Sequence, residues 1–227
     1  MNPALQVAVD RVEAFAALPS ADAALLLAEV RTRQYEHDEV VVECGDKAES
    51  FFGVSEGHLK VVMPGVDGRQ ITMGIYGRGE AFGAPALLLD EPRAARVVAL
   101  ERSVLVVLSR AGFDRLLLRS PTFSRRILNM LATRMRHIAE HHEDVVSLAL
   151  RERIAKKLVL LARHFGEQRG DHVGLVLALS QQELADLVGT TRQSINKHLR
   201  AWVTAGYLRL EDNRLVVLDQ AGLLRPL

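Results

Sequence analysis

The side chains best suited to chemistry lie in residues 179–202, LSQQELADLVGTTRQSINKHLRAW. The polar donors left facing outward near the start of the second predicted helix are Arg192, Gln193, Asn196 and Lys197. Arg can donate two hydrogen bonds to guanine, Gln or Asn can pair with adenine, and Lys can reach a phosphate or guanine. This set predicts contacts with the major groove of duplex DNA. The alternative interpretation is an ordinary helical hairpin with a solvated face.

Two short helices and a tight turn would position these donors. Ser180 and Glu183 match a capping box, in which the Ser oxygen accepts from a free helix N–H and the Glu reaches back. Gly189 allows the tight turn, and Thr190 or Thr191 can cap the second helix. Small and branched apolar residues would face inward between the two helices. The spacing of these residues, the two caps and the turn glycine is that of a helix-turn-helix. The predicted DNA-binding set is Ser180, Gln181, Thr191, Arg192, Gln193, Asn196 and Lys197.

A second segment that could hold a ligand runs from Gly79 to Arg96, GEAFGAPALLLDEPRAAR. A short glycine-containing loop followed by an arginine can bind a phosphate, since backbone N–H groups and a guanidinium all donate to anions. For Arg93 the alternative is a surface salt bridge. The segment follows several short strand-like runs.

Those runs lie within residues 38–109, where alternating apolar stretches are separated by glycines. Asp67-Gly68 between two of them is a hairpin signal, since both positions tolerate positive φ. The pattern predicts an antiparallel barrel or sandwich. Residues 1–34 are expected to form short helices, and residues 166–170 a polar loop. Residues 207–218 predict two strands around Asp212-Asn213, which would add a wing to the helix-turn-helix.

A long helix is predicted after Pro121, because apolar residues then recur three and four apart. This heptad pattern favours packing against a second copy of the helix, and the alternative is packing within its own domain. The predicted dimer seam is Leu128, Leu131, Met135, Ile138, His142 and Val145, with Ala149 continuing the spacing.

Composition limits the classes of protein. Of the 227 residues, 48% are hydrophobic and 25% are charged, which is typical of soluble globular proteins. We find no membrane-spanning run and no secretory signal, so we expect a cytoplasmic protein. Counted from the sequence, residues 1–149 carry 17 − 20 = −3 charges and residues 150–227 carry 12 − 8 = +4. A basic C-terminal part suits nucleic-acid binding.

Three other features are assigned ordinary roles. His137 and His141 are spaced for a metal, but a third ligand is lacking, so a solvated face is favoured and no metal site is predicted. The single cysteine, Cys44, is expected to be a small buried apolar residue, and the alternative is a redox-active thiol. No nucleophile–base pair or other catalytic motif is found, so we expect no enzymatic activity.

The sequence resembles the Crp/Fnr family of bacterial transcription regulators. The residues that carry the resemblance are 45–61, 77–88 and 183–199. It implies an α+β fold with a β-roll of the cyclic-nucleotide-binding, jelly-roll-like type over residues 1–120. A dimerisation helix over 121–149 and a winged helix-turn-helix over 150–227 would follow. It further implies a homodimer on palindromic DNA, gated by a signal in the β-roll, with RNA polymerase as a partner of an activator.

The match to the cyclic-AMP-responsive members is incomplete. Gly83 and Arg93 match the Gly and Arg of their phosphate-binding loop, but Ala84 stands at its Glu and Ala94 at its Ser. Ile138 stands at the first position of their adenine-contacting Thr-Ser pair. Each lost polar contact would cost ~1–3 kcal/mol. Cyclic AMP is therefore disfavoured, and another cyclic nucleotide, haem, an apolar effector or no ligand stay open.

The DNA-reading helix also departs from the best-known member. Gln193 stands where that member has Glu, which exchanges an acceptor for a donor–acceptor, so adenine rather than cytosine is expected there. The expected half-site therefore differs from the familiar TGTGA. The alternative function is a regulatory or adaptor module that acts through protein contacts.

Overall fold

The computed structural model describes residues 3–65, 70–169, 172–175, 179–211 and 214–225. By their contacts these divide into two compact units, Met1–Arg136 and His137–Leu227. The predicted turns Asp67-Gly68 and Asp212-Asn213 lie outside the described residues. Among the described helices, none combines the length and apolar character needed to cross a bilayer.

The first unit holds eight described strands, four described helices and the first part of a fifth. Its helices are α1 (Pro3–Asp10), α2 (Ser20–Glu29), α3 (Ala84–Leu89), α4 (Arg110–Arg119) and the first part of α5 (Pro121–Ser147). Its strands are β1 (Val30–Tyr35), β2 (Val40–Val42), β3 (Ser50–Glu56), β4 (Leu59–Pro64), β5 (Gln70–Tyr76), β6 (Ala81–Phe82), β7 (Arg96–Ala99) and β8 (Ser103–Ser109).

These strands form two antiparallel four-stranded sheets, ordered β1-β8-β3-β6 and β2-β7-β4-β5. Successive residues of a strand face opposite sides. Leu105 and Val107 of β8 therefore join the core between the sheets, while Val106 and Leu108 join a second core with the helices. The predicted antiparallel double-sheet architecture is confirmed.

One expectation for this unit is wrong. Residues 30–34 are not helical, because Val30–Tyr35 form β1 and pair along their whole length with β8. Helix α2 ends at Glu29, where the chain turns into extended backbone.

The second unit contains the remainder of α5 and a helical domain with one sheet. Its other elements are α6 (Leu150–Phe165), β9 (Gly166–Arg169), β10 (His172–Leu175), α7 (Gln181–Val188), α8 (Arg192–Thr204), β11 (Leu208–Glu211), β12 (Arg214–Val217) and α9 (Gln220–Leu224). The sheet is antiparallel in the order β11-β12-β10-β9. The strands of the predicted wing therefore pair, although the predicted polar loop at 166–169 is strand β9 instead.

Candidate nucleic-acid interface and sensor loop

The helix-turn-helix is built from local signals at both helix starts. Glu183 N donates to Ser180 Oγ at 3.2 Å, and Ser180 N donates to Glu183 Oε2 at 2.9 Å. Gly189 ends α7 with a φ of +74°. Ser194 N donates to Thr191 Oγ1 at 3.2 Å, so Thr191 rather than Thr190 caps α8. These caps fix where α8 begins.

The predicted base-reading side chains differ in exposure. Arg192, Gln193 and Lys197 are exposed, while Asn196 is half-buried. The inward side of the same helix buries Ile195, Leu199 and Trp202 against the domain core. Helix α8 thus presents its donors on the side away from its core. The remaining predicted residues are an exposed Ser180, an exposed Thr191 and a half-buried Gln181 whose Oε1 lacks a hydrogen-bond partner.

Sequence reasoning missed two basic residues at this site, His198 on α8 itself and Arg151 beside it. The Cζ of Arg151, in the first turn of α6, lies 5.6 Å from the ring centre of Trp202. The His198 ring lies 5.8 Å from the same indole. Burial, Lys197 and Arg151 together lower the pKa of His198. No signal in the sequence pairs residue 151 with α8, because Arg151 and Trp202 are far apart in the chain and meet only in the folded domain.

The predicted anion loop lies in the first unit and contains a glycine with left-handed backbone. Gly83 has a φ of +101° and immediately precedes α3. Arg93 is only 6% exposed, and its Nη1 donates to Gly83 O at 3.0 Å while its Nη2 donates to Ser50 O. Burial lowers the pKa of Arg93, and Asp46 opposes that shift. The salt-bridge alternative for Arg93 is therefore wrong, because this guanidinium is buried on backbone carbonyls.

Stacked aromatic rings extend from Arg93 across the interior between the two sheets. The Arg93 Cζ lies 5.7 Å from the Phe52 ring centre, and Phe52 stacks on Phe82 at 4.9 Å. Phe82 stacks on Tyr76 at 5.1 Å, and the Arg134 Cζ of α5 lies 5.1 Å from the Tyr76 ring centre. Burial raises the pKa of Tyr76, so its hydroxyl stays neutral at physiological pH. Two arginines thus flank a three-ring stack.

The other predicted effector residues supply no polar side chain. Ala84 is fully buried and Ala94 is exposed. Ile138 belongs to the second unit and is 62% exposed. Arg93 Nε is buried without a hydrogen-bond partner, so an anionic group fits the chemistry at Arg93. A ribose hydroxyl does not fit at Ala84, because that side chain cannot accept a hydrogen bond from it.

The predicted dimer seam is mostly exposed in the single chain. Leu128, Met135 and Ile138 are each more than 60% exposed, and Val145 is 44% exposed. His142 is exposed as well, whereas Leu131 is half-buried and packs against the core of the first unit. Helix α5 ends at Ser147, and Ala149 occupies the position just before α6 instead of extending the seam.

The remaining predicted features have simple outcomes. No group of three metal-ligating side chains occurs among the described residues. Burial, with Lys157 and Arg153 acting against Asp144, lowers the pKa of His141. Cys44 is exposed, contrary to the expectation of burial, and its Sγ–H donates to Ala94 O at 3.5 Å. Cys44 lies in an exposed turn after β2, so its thiol faces solvent and is not packed in the core.

Known proteins match both units. The family model of the cyclic nucleotide-binding domain matches residues 32–120, and the model of the Crp-like helix-turn-helix domain matches residues 152–225. A CRP-like cAMP-activated global transcriptional regulator of Mycobacterium tuberculosis is 28% identical over 91% of this chain and 92% of its own length. The cyclic AMP receptor protein of Thermus thermophilus is also 28% identical, over 87% of this chain and 88% of its own length.

A solved structure supports the fold. The c-di-GMP-responsive global regulator CLP of Xanthomonas campestris superposes with a TM-score of 0.75 at 22% identity, covering 88% of this chain and all of that one. The order of β-roll, long helix and helix-turn-helix is the same as in the Crp-type fold. The chain belongs to the Crp/Fnr family of transcription regulators, with a cyclic nucleotide-binding domain and a Crp-like helix-turn-helix DNA-binding domain.

Proposed function

We propose that this protein is a homodimeric, sequence-specific DNA-binding regulator whose β-roll receives an effector other than cyclic AMP. The proposal assigns residues 1–120 to the sensor, 121–149 to the dimerisation helix and 150–227 to DNA binding. The observation that carries it is helix α8, which is capped at Thr191 and exposes Arg192, Gln193 and Lys197 on one side.

Each exposed donor has a distinct task on DNA. Arg192, at the first position of α8, is placed to donate two hydrogen bonds to a guanine. Gln193 follows it and would pair with adenine through its amide. Lys197 lies one turn further along and would reach a phosphate or a guanine. Ser180 and Thr191 would add contacts from the two helix starts, where free N–H groups favour phosphates.

A dimer would cover the exposed apolar seam of α5. Large apolar side chains at Leu128, Met135 and Ile138 remain in water in a single chain. Burying such a side chain contributes about 1.5–3 kcal/mol. A symmetric pair of α5 helices would also present two copies of α8, which suits a palindromic operator.

The sensor loop supports an effector that differs from cyclic AMP. Arg93 offers charge and an unpartnered Nε to one anionic group, but Ala84 and Ala94 offer no side-chain acceptor or donor. The neighbouring stack of Phe52, Phe82 and Tyr76 is apolar and planar. These features suit an anionic or aromatic effector better than a ribose.

DNA binding is tested by a mobility shift on pooled genomic fragments at stated salt. The Arg192→Ala variant should lose the shifted bands that wild type gives, because the loss of a bidentate guanine contact costs about 1–3 kcal/mol. The control is Arg163→Ala, which removes an exposed arginine near the end of α6. Equal shifts for wild type and Arg192→Ala would overturn the assignment of α8.

A further inference from the structure

Three basic side chains lie where the start of α6 meets α8. Arg151 and His198 both lie against Trp202, at the distances given above. Lys197 is exposed next to His198 and lies one turn after Gln193. The cluster of Arg151, Lys197 and His198, here called the basic cluster, therefore adjoins the proposed base-reading side of α8.

The basic cluster lacks the partners that basic groups near a protein core normally have. Arg151 Nε and Nη2 are buried, and no described residue accepts a hydrogen bond from either. Among the described carboxylates, none forms an ion pair with Arg151 or Lys197. Leaving a buried donor unsatisfied is costly. An anion at the basic cluster would give the Arg151 guanidinium an acceptor and a counter-charge.

Positive charge is concentrated at the basic cluster. The two charged groups that act on His198, Lys197 and Arg151, are both cations. The cluster is thus a local concentration of positive charge from two helices, within a C-terminal part that carries a net +4. Arg in particular matches the oxygens of a phosphate with its planar fork of N–H donors.

We propose that the basic cluster binds one phosphate of the DNA backbone and extends the DNA interface from α8 onto the start of α6. The proposal rests on the DNA-binding function proposed above. A phosphate is favoured over a base edge because Arg151 and His198 are half-buried and lie on the side of α8 turned toward α6. Base edges would be read by the exposed side chains at 192 and 193.

A bound phosphate also changes the proton affinity of the cluster. In the free protein, burial and two cations disfavour protonated His198. A phosphate favours the protonated form, so DNA binding should take up a proton at this site. DNA affinity should therefore rise as pH falls from 8 toward 6.

The first test measures the salt dependence of DNA affinity for wild type and Arg151→Met. The probes are a genomic duplex recovered with wild type and a scrambled duplex of equal length. Methionine keeps much of the side-chain volume over Trp202 but removes the charge and the N–H donors. We expect weaker binding to both duplexes, unchanged preference between them, and a slope of log K against log salt that is smaller by about 0.9. Arg163→Met is the matched control and should behave as wild type.

The second test uses His198→Gln and keeps the proposal falsifiable if Arg151→Met is poorly folded. Wild type should bind DNA more tightly at pH 6 than at pH 8, and the variant should lose that gain. Unchanged salt slopes in Arg151→Met with its fold intact, or a changed base preference, would overturn the phosphate contact. An unchanged pH dependence in His198→Gln would do the same. If wild type recovers no duplex from the genomic pool, the proposed function itself fails.

Discussion

One buried arginine, Arg93, and one half-buried arginine, Arg151, differ in their hydrogen-bond partners. Arg93 and Arg151 each have a buried Nε without a partner and each lie over an aromatic ring. Arg93, however, donates through both Nη atoms to the carbonyls of Ser50 and Gly83, so it helps to shape its own loop. Arg151 has no such acceptor among the described residues. Arg93 therefore has a structural role whether or not a ligand binds, whereas Arg151 is available to a partner.

His198 gives a prediction at the residue scale because its pKa is lowered in the folded protein. In the unfolded chain a histidine titrates near its ordinary pKa of ~6.5. Below that value the unfolded state binds more protons at residue 198 than the folded state does. The free energy of unfolding should therefore fall as pH is lowered from about 7.5 to 5.5, and the fall should be smaller in His198→Gln.

Urea denaturation at several pH values, without DNA, checks this prediction. The control variant is His164→Gln, at an exposed position on α6. Identical pH dependence of stability in wild type and His198→Gln would contradict the assigned environment. The sign is opposite to that expected for DNA affinity, so the two measurements separate folding from binding.

At the scale of elements, the short helix α3 depends on Gly83. This glycine has a φ of +101°, and a Cβ there would lie 2.8 Å from Arg93 Nη1 and 3.1 Å from Ser50 O. Gly45 has a similar φ of +89° but open space around its position for a Cβ. Comparing an alanine at position 45 with an alanine at position 83 therefore separates the cost of left-handed backbone from the steric contact with Arg93.

We expect Gly45→Ala to lower the free energy of unfolding by about 1–2 kcal/mol, because left-handed backbone is less favourable for alanine than for glycine. Gly83→Ala should lose distinctly more, because Arg93 is held by two carbonyls and cannot move aside freely. Urea denaturation measures both losses. Equal losses would show that the contact between residues 83 and 93 carries no energy.

Elements defined by local signals were predictable from the sequence, and elements defined by distant pairing were not. The helix-turn-helix was predictable because Ser180, Glu183, Gly189 and Thr191 act within one helical turn of the backbone groups they cap or release. Strand β1 was not, because VRTRQY lacks alternation and is extended only by pairing with β8, far along the chain. The partners of Arg93 and Arg151 were hidden for the same reason, since each partner comes from a distant element.

At the scale of the whole molecule, the exposed seam of α5 makes a prediction about assembly. The chain should be a dimer in sedimentation, with about twice the mass of one 25.1 kDa chain. Replacing both Met135 and Ile138 with Asp should weaken association more than tenfold, because it places charges in an apolar contact. The control is Leu118→Asp, since Leu118 is 86% exposed on α4 and lies outside the seam. A monomeric wild type, or a dimeric double variant, would contradict the seam.

In the proposed function, a dimer of this chain reads a specific palindrome through α8. This sequence preference is tested most directly by selecting bound sequences from a random duplex pool with wild type and with Gln193→Glu. We predict that wild type enriches a palindrome whose half-site differs from TGTGA, with adenine at one position. Gln193→Glu should shift that position toward cytosine. Enrichment of no palindrome, recovery of TGTGA by wild type, or identical sites for both proteins would contradict the account.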